Sequence, residues 1–171
     1  CGTRRPPSQL HNLQGSFREL EILKKLKIVV AANSNYVRIQ LIENGFPPEQ
    51  VVTLRLSIQS PAIPTEPLTP EIHQKQRILF VGRITPEKGL DWLLRSLQLT
   101  SANIRLDIAG EGWAKAQMEQ LSRKLGVEDR VAWHGWCSKE KLEMLYRQCF
   151  AVVFPSIWPE PAGLITLEAY T

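Results

Sequence analysis

Apolar positions along the chain change their period repeatedly, and each change marks an element. Residues 27–32 (KIVVAA) form a short apolar run between polar neighbours, which predicts a buried strand. Ser34 stands where an N-cap belongs. Tyr36, Val37, Ile39 and Leu41 then suit a helix that stops at Gly45. Residues 51–56 read as a second strand. From residue 77 onward, strands are expected at 78–81, 104–109, 130–133 and 150–154, with helices at 86–99, 113–125 and 139–147 between them. Leu90, Leu93, Leu94 and Leu97 share one face of the first of these helices, and Gly126 ends the second. Residues 164–171 read as the start of a helix with no C-cap signal and no strand after it.

Repeated βα units imply a parallel sheet covered by helices on both faces, an α/β, Rossmann-like architecture. Ligands of such sheets bind at the carboxyl ends of the strands. Residues 57–76 carry Pro61, Pro64, Pro67 and Pro70, the composition of a stiff, extended linker. The expected organisation is the tail of one α/β domain at 1–56, a linker at 57–76 and a second domain at 77–171. A terminal helix this short is marginal alone. The chain therefore reads as a piece of a longer enzyme, itself inactive in turnover.

The 171 residues carry a net charge of +4, concentrated at one end. Residues 1–27 hold Arg4, Arg5, Arg18, Lys24, Lys25 and Lys27 against Glu19 and Glu21; the rest is balanced. A nucleic-acid partner is not expected, because phosphate-backbone binding needs a basic stripe on the folded body. Two readings of the basic segment stand: a helix around 17–26 that touches anionic lipid at the inner face of the membrane, or a solvated helix face. Cys1, Cys137 and Cys149 make neither a metal motif nor a disulfide framework, which points to a reducing cytoplasm. No Asp-x-Asp pair is present to hold a divalent metal on a diphosphate, so neither metal nor cofactor is expected.

Three segments carry candidate chemistry, each following a strand. The first is Gly82-Arg83-Ile84-Thr85-Pro86-Glu87-Lys88-Gly89. Thr85 fits an N-cap and Pro86 the first helical position, which puts Lys88 in the first turn. There the helix dipole disfavours a cation by up to ~1 kcal/mol. A diphosphate reverses that sign: at ~4 Å and an effective dielectric of ~20, each cation–phosphate contact is worth roughly 4 kcal/mol before desolvation. With Arg83 as a bidentate fork and Gly89 in the same loop, Arg83 and Lys88 read as a phosphate clamp. The alternative for Lys88 is a surface pair with Glu87 or Asp91. The second segment, Gly110-Glu111-Gly112, lacks the third glycine and the acidic partner of a dinucleotide fingerprint and reads as a tight loop lining a cleft. The third, residues 158–168, places Glu160 on a Pro/Gly turn and Glu168 about two helical turns into an apolar helix, so that the two carboxylates flank one ligand.

The third segment resembles the E-x7-E motif of retaining glycosyltransferases of the glycosyltransferase family 4 type, and the first resembles that family's second signature, in the same order and separation. The similarity runs from about Lys27 to Thr171. It implies a two-domain GT-B fold with the domains joined at the linker. It implies also a hexosyltransferase of glycan biosynthesis that moves a sugar from a nucleoside-diphosphate donor to an acceptor with retention. On that resemblance Glu160, Arg83 and Lys88 are the catalytic candidates. Glu160 lies by the donor-sugar hydroxyls, Glu168 binds the ribose, and Gly163 and Leu164 offer backbone N–H groups. Gly82, Gly110, Trp136 and Cys137 complete the donor site, with Gly135-Trp136-Cys137 where the family places the base. Trp136 either stacks there or covers the core. This chain has Leu54-Arg55-Leu56-Ser57-Ile58 where the family carries a Pro-Asn-Gly turn, and Ala162 where it carries an aromatic. The acceptor stays open: a saccharide, a lipid-linked sugar or a small molecule. A GT-B-fold sugar-nucleotide epimerase and a non-catalytic nucleotide-sugar-binding module are the rival readings.

Overall fold

A computed structural model describes residues 8–26, 28–55 and 76–169, and the side chains from residue 15 onward. The expected linker up to residue 75, together with Leu56, Lys27 and Cys1, lies outside the described residues. The chain divides into two compact units, Cys1–Ser57 and Ile58–Thr171.

In the first unit a helix α1 (Ser8–Lys25) precedes a βαβ arrangement: β1 (Val30–Ala32), α2 (Asn35–Glu43) and β2 (Val51–Thr53), with β1 and β2 parallel. Ser34 caps α2 as its sequence suggests, its hydroxyl accepting the Val37 N–H at 3.2 Å. Ala32, Phe46 and Val51 form a small core with Val30, Val37, Leu41 and Ile42 packed on it. The helix expected around residues 17–26 begins earlier, at Ser8. The second strand is shorter than its apolar run: it ends at Thr53, and Leu54, whose N–H still donates to Ala32 O at 2.7 Å, has an exposed side chain.

The second unit is a four-stranded parallel sheet in the order β5-β4-β3-β6. Its strands are β3 (Arg77–Val81), β4 (Arg105–Ala109), β5 (Val131–Gly135) and β6 (Ala151–Val152). The helices are α3 (Leu90–Gln98), α4 (Lys115–Lys124), α5 (Lys139–Gln148) and α6 (Leu164–Ala169). Alternate residues of each strand face opposite ways. Ile78, Phe80, Leu106, Ile108, Val131 and Trp133 meet Leu90, Leu93, Leu94 and Leu97 of α3 and Met118 and Leu121 of α4. Leu79, Val81 and Ala109 meet Leu142, Leu145, Tyr146 and Cys149 on the α5 side. Helices thus cover both faces of a Rossmann-like sheet. Each leucine buried on α3 contributes on the order of 1.5–3 kcal/mol.

The helix expected at 86–99 divides. Pro86–Lys88 is a single 3-10 turn, Gly89 takes the left-handed conformation (φ 68), and the α-helix begins at Leu90. Thr85 makes no side-chain cap. Lys88 therefore ends a tight turn instead of sitting within the first turn of a long helix. The reason is steric. The chain from β6 crosses so close to Gly89 that a Cβ there would lie 2.1 Å from the Pro155 carbonyl oxygen, and the left-handed glycine is what admits it.

Candidate functional site

Strand order locates the site. From β3 the chain moves outward to β4 and β5, then returns to place β6 on the other side of β3. The β3 and β6 loops leave the sheet at this reversal, where a doubly wound sheet opens a crevice at its carboxyl edge. The β3 loop carries Gly82, Arg83 and Lys88; the β6 loop carries Ser156 and Glu160.

Backbone contacts lock the loops together. Gly82 N–H donates to Ala109 O at 3.0 Å, Gly110 N–H to Gly135 O at 2.7 Å, and Ile84 N–H to Glu111 O at 2.9 Å. A Cβ on Gly110 would stand 1.8 Å from Gly82 O, so the β3 and β4 loops meet only because Gly110 carries no side chain. On the other side, Ile157 N–H donates to Glu87 O at 3.0 Å and the Ser156 hydroxyl lies 3.1 Å from the same oxygen.

Within this frame Lys88 and Glu160 form an ion pair, Nζ to Oε1, across 72 positions of sequence. The two side chains are only 16% and 18% exposed. Glu87 and Asp91, the surface partners considered for Lys88, are not its partner. The Ser156 hydroxyl lies 2.9 Å from the same Glu160 oxygen. Burial pushes the Glu160 carboxyl up, but the Lys88 ammonium, the Ser156 hydroxyl and the nearby Arg83 charge outweigh it and hold it below the usual glutamate value. Arg83 is exposed, a cation facing solvent beside the pair. The sequence suggests Lys88 for the phosphates and Glu160 for the sugar hydroxyls of one ligand. In the structure the two also touch each other, since opposite charges this buried lower their desolvation cost by pairing.

The remaining expected residues stand around this cluster. Glu168 is on α6 and accepts from the Tyr146 hydroxyl of α5 at 3.3 Å. That environment pushes the Tyr146 phenol well above its ordinary value, by burial first and the Glu168 charge second. Gly163 (φ 55) turns the chain into α6 just before Leu164, and Ile165 reaches back towards Gly82. Trp136 is 80% exposed on the β5 loop, so it covers no core. Cys137 packs towards the α5-side core with its thiol on Gly135 O at 3.6 Å.

Three groups went unread in the sequence. Ser156 is the small hydroxyl four positions before Glu160. Tyr146 is the one polar tip in the inward stripe of α5. The third is a buried cluster: Asp107, 3% exposed in β4, takes Arg77 at 2.6 and 2.8 Å and His134 at 2.7 Å. Burial pushes the Asp107 carboxyl up, and Arg77 and His134 more than reverse this, holding it below the usual aspartate value. His134 of β5 is thereby a partner of a buried carboxylate. Among the described residues no three His, Cys, Asp or Glu side chains are grouped to hold a metal ion, and no helix is long and apolar enough to cross a membrane.

The family model for glycosyl transferases group 1 matches residues 67–171. An uncharacterized glycosyltransferase of Methanocaldococcus jannaschii is 39% identical over 97 residues, 56% of this chain and 25% of the relative. Among solved structures, a lipopolysaccharide outer core galactosyltransferase in its apo form superposes with a TM-score of 0.68 at 25% identity, over 83% of this chain and 41% of that one. Anabaena HepE in complex with UDP-glucose superposes with a TM-score of 0.76 at 21% identity, over 91% and 46%. The chain thus spans about a quarter of that relative and under half of each solved chain. The shared architecture is that of GT-B glycosyltransferases.

Proposed function

The chain belongs to the glycosyl transferases group 1 family, and on that premise we propose that it is the donor-binding part of a retaining glycosyltransferase using a nucleoside-diphosphate sugar. The observation that carries the reading is the Lys88–Glu160 pair, with Arg83 beside it, where the β3 and β6 loops meet. A cation and a carboxylate side by side suit the two chemistries that meet at the anomeric carbon of such a donor: phosphate oxygens on one side, sugar hydroxyls on the other. That HepE was crystallised with UDP-glucose supports a nucleotide-sugar partner.

In this mechanism the diphosphate approaches Arg83 and Lys88, and Lys88 uses its further N–H directions for a phosphate oxygen while Glu160 accepts from a sugar hydroxyl. The bond between the anomeric carbon and the phosphate oxygen breaks, and the leaving diphosphate carries the electron pair. Arg83 and Lys88 stabilise the charge that develops there. The acceptor hydroxyl attacks from the face the diphosphate leaves, and its proton passes to the departing phosphate oxygen, so configuration is retained. Glu168, held by Tyr146, is the candidate for the ribose hydroxyls, and the exposed Trp136 the candidate surface for the base. No step calls for a metal.

Calorimetric titration with UDP, GDP and ADP tests the reading. One of the three should bind the chain, and Arg83→Ala or Lys88→Ala should weaken it roughly 10- to 100-fold, the loss of one charge-assisted contact. Binding that is unchanged in both variants would refute the clamp.

A further inference from the structure

Glu160 has two carboxylate oxygens, and both of its donors lie on the same one. Lys88 Nζ and the Ser156 hydroxyl each meet Oε1, while Oε2 takes no hydrogen bond from the described residues. A carboxylate offers two equivalent oxygens until something distinguishes them. Here two donors do so, one from the β3 loop and one from the β6 loop.

Ser156 has a single proton to donate. Three acceptors surround it: Glu160 Oε1 at 2.9 Å, Glu87 O at 3.1 Å and Trp158 O at 3.4 Å. Glu87 O already receives the Ile157 N–H. The carboxylate is the nearest of the three and the only ionised one, and hydrogen bonds to an ionised acceptor are about twice as strong as neutral ones. The hydroxyl is also well placed to hold a position. Its backbone follows Pro155, which is pressed against Gly89, and precedes the Ile157 bridge to the 86–88 turn.

We infer that Ser156 is a positioning residue: with Lys88 it fixes Glu160 through Oε1 and so presents Oε2 as the single acceptor for a ligand hydroxyl. That the hydroxyl belongs to a donor sugar rests on the function proposed above; the positioning itself does not. One oxygen held and one presented makes Glu160 an acceptor of defined direction, whereas a freely rotating carboxylate would offer either oxygen over a wide arc. The same contact favours the ionised form of Glu160, because a hydroxyl donates more strongly to a carboxylate than to a neutral carboxyl.

The test is a carbon-13 NMR titration of the Glu160 carboxyl in the 171-residue chain without ligand, its resonance assigned with Glu160→Gln. Ser156→Ala removes the hydroxyl. Ser156→Cys keeps the volume with a much weaker donor and carries the same test if the alanine variant does not fold. Ser156→Thr keeps the hydroxyl. The Glu160 midpoint should rise in the alanine and cysteine variants and return towards the parent value in threonine. A midpoint unmoved in alanine and cysteine, or raised equally in threonine, would overturn the inference. The titration needs no nucleotide, so its failure would leave the glycosyl-transfer reading standing. Conversely, a chain that shows the midpoint shift and binds no nucleoside diphosphate would lose that reading alone.

Discussion

Gly89 and Gly126 share nearly the same left-handed backbone, φ 68 and 67, in opposite surroundings. A Cβ at Gly89 would lie 2.1 Å from the Pro155 carbonyl oxygen and 2.9 Å from its carbon; at Gly126 it would meet nothing within 4 Å. Alanine at either site pays about 1–2 kcal/mol for the left-handed conformation. It recovers about 0.4–1 kcal/mol by restricting the unfolded chain. Both terms are common to the two variants. Gly89→Ala alone also forces a methyl group onto a main-chain carbonyl, which cannot rotate away as a side chain would, and overpacking of this kind costs about 1–3 kcal/mol. Urea unfolding should therefore show Gly126→Ala destabilised by roughly 1 kcal/mol and Gly89→Ala by roughly 2–4 kcal/mol, at equal m-values. Moving the β6 loop off the 86–88 turn also disturbs the Ser156 and Glu160 contacts, so Gly89→Ala should weaken nucleoside-diphosphate binding and Gly126→Ala should not. Equal losses of stability in the two variants would refute the view that close approach at Pro155 holds the β3 and β6 loops together.

Glu160 and Asp107 both have folded-state pKa values below their ordinary ones. Their contribution to stability is therefore complete above the unfolded values near 4.5 and 3.8 and is lost as the pH falls through the lower folded values. Acid titration of the urea midpoint should show this, and Glu160→Gln should flatten part of that fall. Arg77→Ala leaves the buried Asp107 with only His134 at its carboxylate and should cost about 3 kcal/mol in the same assay, because one partner of a buried charge has been removed. Tyr146→Phe deletes the hydroxyl on Glu168 and should cost about 0.5–1.5 kcal/mol by urea unfolding, with Lys88 and Glu160 untouched.

Much of the fold could be read from spacing. The leucines of α3 recur at 90, 93, 94 and 97, and all four are buried, because a 3.6-residue period leaves one face for the sheet. The alternation of β and α likewise led to a parallel sheet. What periodicity does not encode is which strand neighbours which. The return of β6 to the far side of β3 is a tertiary fact, and it decides that the Lys88 and Glu160 loops meet. The same limit explains the broken helix at residues 86–89. Thr85, Pro86 and the apolar stripe all favour a continuous helix locally, and the close passage of Pro155, 66 residues later in number, overrides them. Asp107 offered a signal that went unused: a carboxylate between Leu106 and Ile108 in an apolar strand must find partners. Ser156 offered none, since a serine in a loop is ordinary until its carboxylate neighbour is seen.

A crystal structure of this chain with whichever of UDP, GDP or ADP binds most tightly bears on the central claim most directly. Phosphate oxygens within hydrogen-bonding distance of both Arg83 and Lys88, where the β3 and β6 loops meet, are the predicted result. A nucleotide ordered elsewhere on the molecule, with no phosphate oxygen near Lys88 and Arg83 still in solvent, would contradict it.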